Sequence, residues 1–282
     1  YYQSEILNAG FETPVVQDRN YTFLTNGWPN LYWKTTSPGE GINLSRDIEL
    51  ARYVEGDDGE FNTNVTFFPN QPDSGRQIAE INAENFGALY QDIITAPGES
   101  LAWEFSHAKR DTTLNGEAMF IILGPTEYAQ TVTTYEQLST LIEQIITGAG
   151  YADRTAALDH LNGSTDGNRN SIRYEDPNTK AVYEIWYHNA DDGRNDRGEG
   201  AWTDLAGAYV VPPKQYRTRL FFVSDPEASG KGGEANYGNL IDSSRAGQYK
   251  KYLIEYYEES YDSSNGNTVV RTHIKRDEEG VL

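Results

Sequence analysis

The chain has 282 residues, 37% of them hydrophobic, so it can bury a sizeable core, either as one large domain or as a domain with an appended module. Its 43 acidic residues against 23 basic ones give a net charge of −20, which would repel a phosphate backbone over most of the surface and argues against a nucleic-acid partner. Cysteine is absent, which removes thiol catalysis, thiolate metal sites and disulfides, and no apolar run approaches the roughly 18–20 residues of a membrane span.

Leu7-Asn-Ala-Gly-Phe-Glu-Thr-Pro14 opens the pattern with a short strand, a glycine break and an extended step into proline. Within NGWPNLYWKTT, Asn26-Gly27 and Pro29 predict a loop, with Tyr32 and Trp33 entering a strand. Asp47 to Val54 alternates apolar and polar residues, and the hydrophilic EGDDGEFNTN follows from Glu55 to Asn64. The stretch from Gln77 to Arg110 is the most regular: two strands around Ala96-Pro97-Gly98-Glu99, with Leu101, Trp103, Phe105 and His107 on one face of a period-two segment. It is expected to form the central hairpin of a sandwich, with Leu101, Trp103 and Phe105 facing inward. Glu117 to Leu123, EAMFIIL, reads as a buried strand closed by Gly124-Pro125.

From Thr133 to about Leu161 the period changes. Leu138, Leu141, Ile142, Ile145 and Ile146 recur at helical spacing, and either Thr133 with Glu136 or Thr134 with Gln137 offers a capping box. Gly148 to Gly150 ends that helix, and Asp153 to Leu161 adds a shorter one, so a helical insertion (about 126–170) interrupts a β pattern. Strands resume at Ala181–His188, Trp202–Val211 and Arg217–Ser224, and the last begins at Tyr237–Asp242. Past 246 the composition shifts, and Tyr249 to Lys275 predicts a hairpin around Asn265-Gly266, either a cap or the start of a further module.

The motifs Asn8-Ala-Gly-Phe-Glu-Thr-Pro14, Gly27-Trp28 and Gly238-Asn-Leu-Ile-Asp242 resemble those of the galactose-binding-like jelly roll shared by carbohydrate-binding modules and bacterial surface domains. IAEINAENFGALYQDIITAPGESLAWEFSHAKR is similar to segments of cell-wall-anchored modular adhesins of Gram-positive bacteria. The resemblance spans about residues 5–245. It implies an all-β jelly-roll sandwich (1–246), a host or matrix glycan or surface protein as partner, and an extracellular, cell-surface place within a longer chain. The lack of cysteine and the 20 tyrosines suit such a habitat. The chain opens on Tyr1 with no signal-like segment, which reads as a processed fragment. The resemblance also implies a structural Ca²⁺ held by Glu12 and Asp242; the competing reading has Glu12 hydrogen-bonding backbone in its turn.

Exposed aromatics that stack on sugar rings are the expected ligand-binding groups, drawn from Trp28, Tyr32, Trp33, Tyr90, Trp186 and Trp202, with His107, Arg110 and His188 as polar partners. His107 and Arg110 are favoured because they lead into the loop from Asp111 to Asn115. The acidic groups at Asp57, Asp58 and Glu60 and from Asp191 to Glu199 lack the EF-hand pattern and read as solvated loops. No HExxH, GxSxG or phosphate-cradling loop occurs, so an enzyme is not expected. A structural stalk or pilin-like module is the alternative class, and a glycoside hydrolase a distant third.

Overall fold

The computed structural model describes residues 6–16, 21–36, 48–52, 60–61, 65–66, 77–81, 86–108, 117–126, 132, 134–165, 168–190, 202–227, 239–248, 252–262 and 267–276. The strands β1 (Tyr21–Leu24), β2 (Lys34–Thr35), β3 (Ile48–Arg52), β4 (Glu60–Phe61), β5 (Val65–Thr66), β6 (Gln77–Glu80), β7 (Ala88–Ile94), β8 (Ser100–Ala108) and β9 (Ala118–Pro125) come first. The helices α1 (Tyr135–Gly148) and α2 (Arg154–Leu161) follow. Then come β10 (Ser164–Thr165), β11 (Asn168–Arg169), β12 (Ile172–Glu175), β13 (Val182–Asn189), β14 (Thr203–Val210), β15 (Arg217–Ser224), β16 (Leu240–Gln248), β17 (Tyr252–Asp262) and β18 (Asn267–Arg276).

Two antiparallel six-stranded sheets carry the fold, in the orders β1-β3-β6-β16-β8-β14 and β12-β13-β9-β15-β7-β2. The all-β sandwich with a helical insertion is therefore as expected. Between the sheets, Trp33, Trp103, Phe105, Trp186, Tyr209 and Phe222 anchor the main core. Trp186, whose face the sequence leaves open, is buried and meets Trp103 edge-on at 5.0 Å. Gly207 lies opposite Trp103, where a Cβ would come within 2.3 Å of the indole, so the close approach of the ring requires glycine.

The Gln77–Arg110 stretch is not a hairpin. β7 belongs to the second sheet and β8 to the first, so the Pro97-Gly98 turn carries the chain across the sandwich. Alternation of apolar residues is the same in both cases. In a hairpin the apolar faces would lie side by side; here Leu89 and Ile93 face Leu101, Trp103 and Phe105 across the core. The crossover is tied to its neighbour between β14 and β15, because Gly98 N–H donates to Val211 O at 2.8 Å and Val211 N–H to Glu99 O at 3.0 Å.

The central strands β13, β9 and β15 of the second sheet are buried on both faces, which explains the unbroken apolar run in β9. Its outer side chains Phe120, Ile122, Ile185, Tyr187 and Phe221 pack under Leu138, Ile142 and Ile145 of α1 and Leu161 of α2. Of the two caps the sequence offers, Thr134 with Gln137 forms the box: Gln137 N–H donates to Thr134 Oγ1, and Thr134 N–H to Gln137 Oε1. A clamp holds the insertion down. Arg154 Nη2 donates to Asp225 Oδ1 at 2.6 Å, Tyr187 OH to Asp225 Oδ2 at 3.0 Å, and Tyr135 OH to Ser224 O at 3.1 Å. Burial, and the Asp225 carboxylate beside them, push both tyrosine hydroxyls to higher pKa.

β16 runs past the expected boundary at 246 to Gln248, whose side-chain amide exchanges two hydrogen bonds with Ala96. β17 and β18 pair antiparallel, with Asp262 opposite Asn267; the expected turn at Asn265-Gly266 lies outside the described residues.

Candidate functional site

The loop from Thr25 to Trp33 joins β1, at the edge of the first sheet, to β2, at the edge of the second. Two turns shape it, with Trp28 N–H donating to Thr25 O (3.1 Å) and Leu31 N–H to Trp28 O (3.2 Å). Asn26 pairs with Thr35 through its side chain, donating to the carbonyl at 3.0 Å and accepting from the amide at 2.8 Å. Asn8 Nδ2 reaches in to Leu31 O at 3.1 Å. Alternation then does the sorting. Leu31 and Trp33 point into the core, Trp33 stacking on Phe11 at 5.1 Å, whereas Trp28 is 46% and Tyr32 50% exposed. Asn30 and Tyr32 both hold left-handed backbone, at φ 62° and 63°. For an aromatic residue that region is crowded, and the two buried neighbours of Tyr32 are what hold it there.

His107 and His188 are brought together, though not at the surface. Each has no exposed area, and their Nδ1 atoms lie 2.6 Å apart across the sandwich, His107 from β8 and His188 from β13. Burial lowers the His107 pKa to about 4, so the ring is neutral. His107 Nε2 donates to Asn239 Oδ1 at 2.9 Å. His107 Nδ1 is therefore the acceptor and His188 Nδ1 the donor. Asn239 is positioned in turn by Glu117, whose Oε2 accepts its N–H at 2.9 Å. The network is a polar rivet between the sheets. Expected at a ligand, both histidines instead close one end of the core, because His107 continues the inward row of Leu101, Trp103 and Phe105.

Trp202, also expected at a ligand, is only 6% exposed and packs with Ala51, Ile78, Ala108 and Leu240 on the outer side of the first sheet. Tyr90 is half-buried beneath the Arg219 guanidinium at 4.3 Å, which itself grips Asp92 through Nε and Nη2 at 2.6 and 2.9 Å. Arg110, Asp57, Asp58 and the acidic group from Asp191 to Glu199 lie outside the described residues.

Glu12 is an exposed residue, and its Oε1 accepts the Gln77 N–H at 2.7 Å. That backbone partner lies 65 residues away. Asp242 is fully buried, with Oδ1 accepting Ser243 N–H at 2.6 Å. Among the described residues no group of three or more His, Asp or Glu side chains gathers where it could hold a metal ion.

No family model and no curated protein matches the chain. Among solved structures, it is similar to TmCBM61 in complex with beta-1,4-galactotriose, at 9% identity and a TM-score of 0.40, covering 88% of this chain and 99% of that one. A second is the CBM22-1-CBM22-2 tandem domain from Paenibacillus barcinonensis Xyn10C, at 9% identity and a TM-score of 0.35, covering 90% and 59%. A third is the enzymatically active domain of tailspike protein 4 of bacteriophage CBA120, at 12% identity and a TM-score of 0.32, covering 87% and 21%. All three scores lie below 0.5, so the sandwich rests on the strand order and register given above. Among the described residues no helix is long and apolar enough to cross a membrane.

Proposed function

We propose that the chain is a non-catalytic carbohydrate-binding module of an extracellular bacterial surface protein, and that it takes a neutral glycan on the Trp28–Tyr32 loop. The observation that supports this reading is the pair of exposed rings on a loop pinned by Leu31, Trp33, Asn8 and Asn26. Rigid aromatic surface loses little entropy when a sugar ring stacks on it, and Asn30, exposed between the two rings, adds amide donors and an acceptor. Helices cover much of the outer face of the second sheet, which turns attention from that face to the edge. The net charge of −20 disfavours sulfated or uronate-rich chains.

A printed array carrying neutral and sulfated glycans, probed with the wild type, Trp28→Ala and Tyr32→Ala, tests the reading. Wild-type binding to neutral spots, weakened about tenfold or more by either variant, is the expected result. Binding that survives both substitutions would place the site elsewhere.

A further inference from the structure

The N-terminal turn is the part of the chain from which calcium was expected, and its chemistry can be followed donor by donor. Asn8 and Phe11, at φ 52° and 57°, fold the segment back on itself. The carbonyls of Phe11 and Pro14 then converge on a single atom, Nε2 of Gln77, at 2.6 and 3.0 Å. Oε1 of the same side chain accepts Val16 N–H at 2.6 Å, and the Gln77 main-chain N–H donates to Glu12. Gln77 has no exposed surface. Two carbonyl oxygens meeting at one point, with a carboxylate on the same residue's backbone, form a donor set that suits a hard cation.

That point is filled by a carboxamide. Its two N–H protons match the two carbonyls, and its oxygen matches the remaining amide of the turn. We infer that Gln77 stands where a structural cation would otherwise sit, so that the turn from Asn8 to Val16 is closed by the protein's own amide and takes no calcium. A cation bound by the two carbonyls would need to displace Nε2 and leave Val16 N–H unpaired in the interior. Glu12 and Asp242 each hold a backbone amide of the protein. One is exposed and holds a backbone amide of β6; the other is fully buried and holds its own neighbour's amide.

The test compares melting temperatures in EDTA and in millimolar Ca²⁺ for the wild type, Gln77→Glu, Gln77→Leu and Glu12→Ala. The wild type is expected to melt at the same temperature in both. Gln77→Leu removes the amide without adding charge and lowers Tm, on the order of 5–10 °C, equally in both buffers. Gln77→Glu sets a carboxylate against the two carbonyls, and its lowered Tm is expected to recover in Ca²⁺. A Gln77→Glu protein that gains nothing from Ca²⁺ overturns the inference. So does a wild-type Tm that falls in EDTA and recovers in Ca²⁺, with that response lost in Glu12→Ala. Should Gln77→Glu not fold in EDTA, refolding on addition of Ca²⁺ but not Mg²⁺ supports the inference, and failure to refold in either ion overturns it.

Discussion

Tyr32 sits in backbone that aromatic residues avoid, at a cost of about 1 kcal/mol, and does so while leaving half its surface in water. Neither choice favours stability, as suits the proposed role of this residue in stacking on a glycan. His107 makes the opposite choice, giving up its charge to stay buried. Its pKa is 6.5 when unfolded and about 4 when folded. Between those values the unfolded chain binds a proton that the folded chain refuses, so stability is complete above about pH 6.5 and declines as pH falls. The decline amounts to about 2 kcal/mol by pH 5. Asn239 and His188 hydrogen-bond to the ring, the Arg169 charge further lowers its pKa, and Glu117 acts on it through Asn239. Urea unfolding from about pH 7.5 to pH 5 should show this slope in the wild type and a flatter one in His107→Gln. Equal slopes would contradict the assignment. His107 lies on the same face as Leu101, Trp103 and Phe105, yet its polar ring at the end of the strand reads as a ligand-binding group, so its burial was not anticipated. Nor was its partner, because His188 stands 81 residues away and only the folded topology brings the two rings into register across the core.

At the level of elements, the sequence states which face of a strand is apolar but not which sheet the strand joins. That is why β7 and β8 read as a hairpin, although long-range pairing with β15 and β16 places them in opposite sheets. The helical insertion was legible down to its capping box, because a run of 14 residues with 3.6 periodicity carries a strong local signal. β12, four residues long at a sheet edge, carries almost none. The clamp on the insertion depends on Asp225, which is 1% exposed and shared by Arg154 and Tyr187. Arg154→Ala strands a buried carboxylate and should cost about 3 kcal/mol in chemical denaturation. Thr134→Ala removes only the exposed box and should cost about 1 kcal/mol. A loss of equal size from both would show that the clamp is no stronger than a surface cap.

For the molecule as a whole, the cover seen among the described residues is what directs the proposed glycan site to a sheet edge. The main core closes the inner faces of both sheets, α1 and α2 pack against the outer side of the second, and Trp202 lies with apolar neighbours on the outer side of the first. The Thr25–Trp33 loop between the two sheet edges carries the exposed rings of Trp28 and Tyr32, on a chain whose net charge of −20 disfavours anionic ligands. The most direct test is titration of intrinsic tryptophan fluorescence with the neutral oligosaccharide selected from the array, on the wild type, Trp28→Ala and Tyr32→Ala. The account predicts saturable binding in the wild type, a signal lost with Trp28, and affinity weakened about tenfold or more without Tyr32. Unaltered affinity in both variants, measured by calorimetry where the fluorescence reporter is gone, would contradict it.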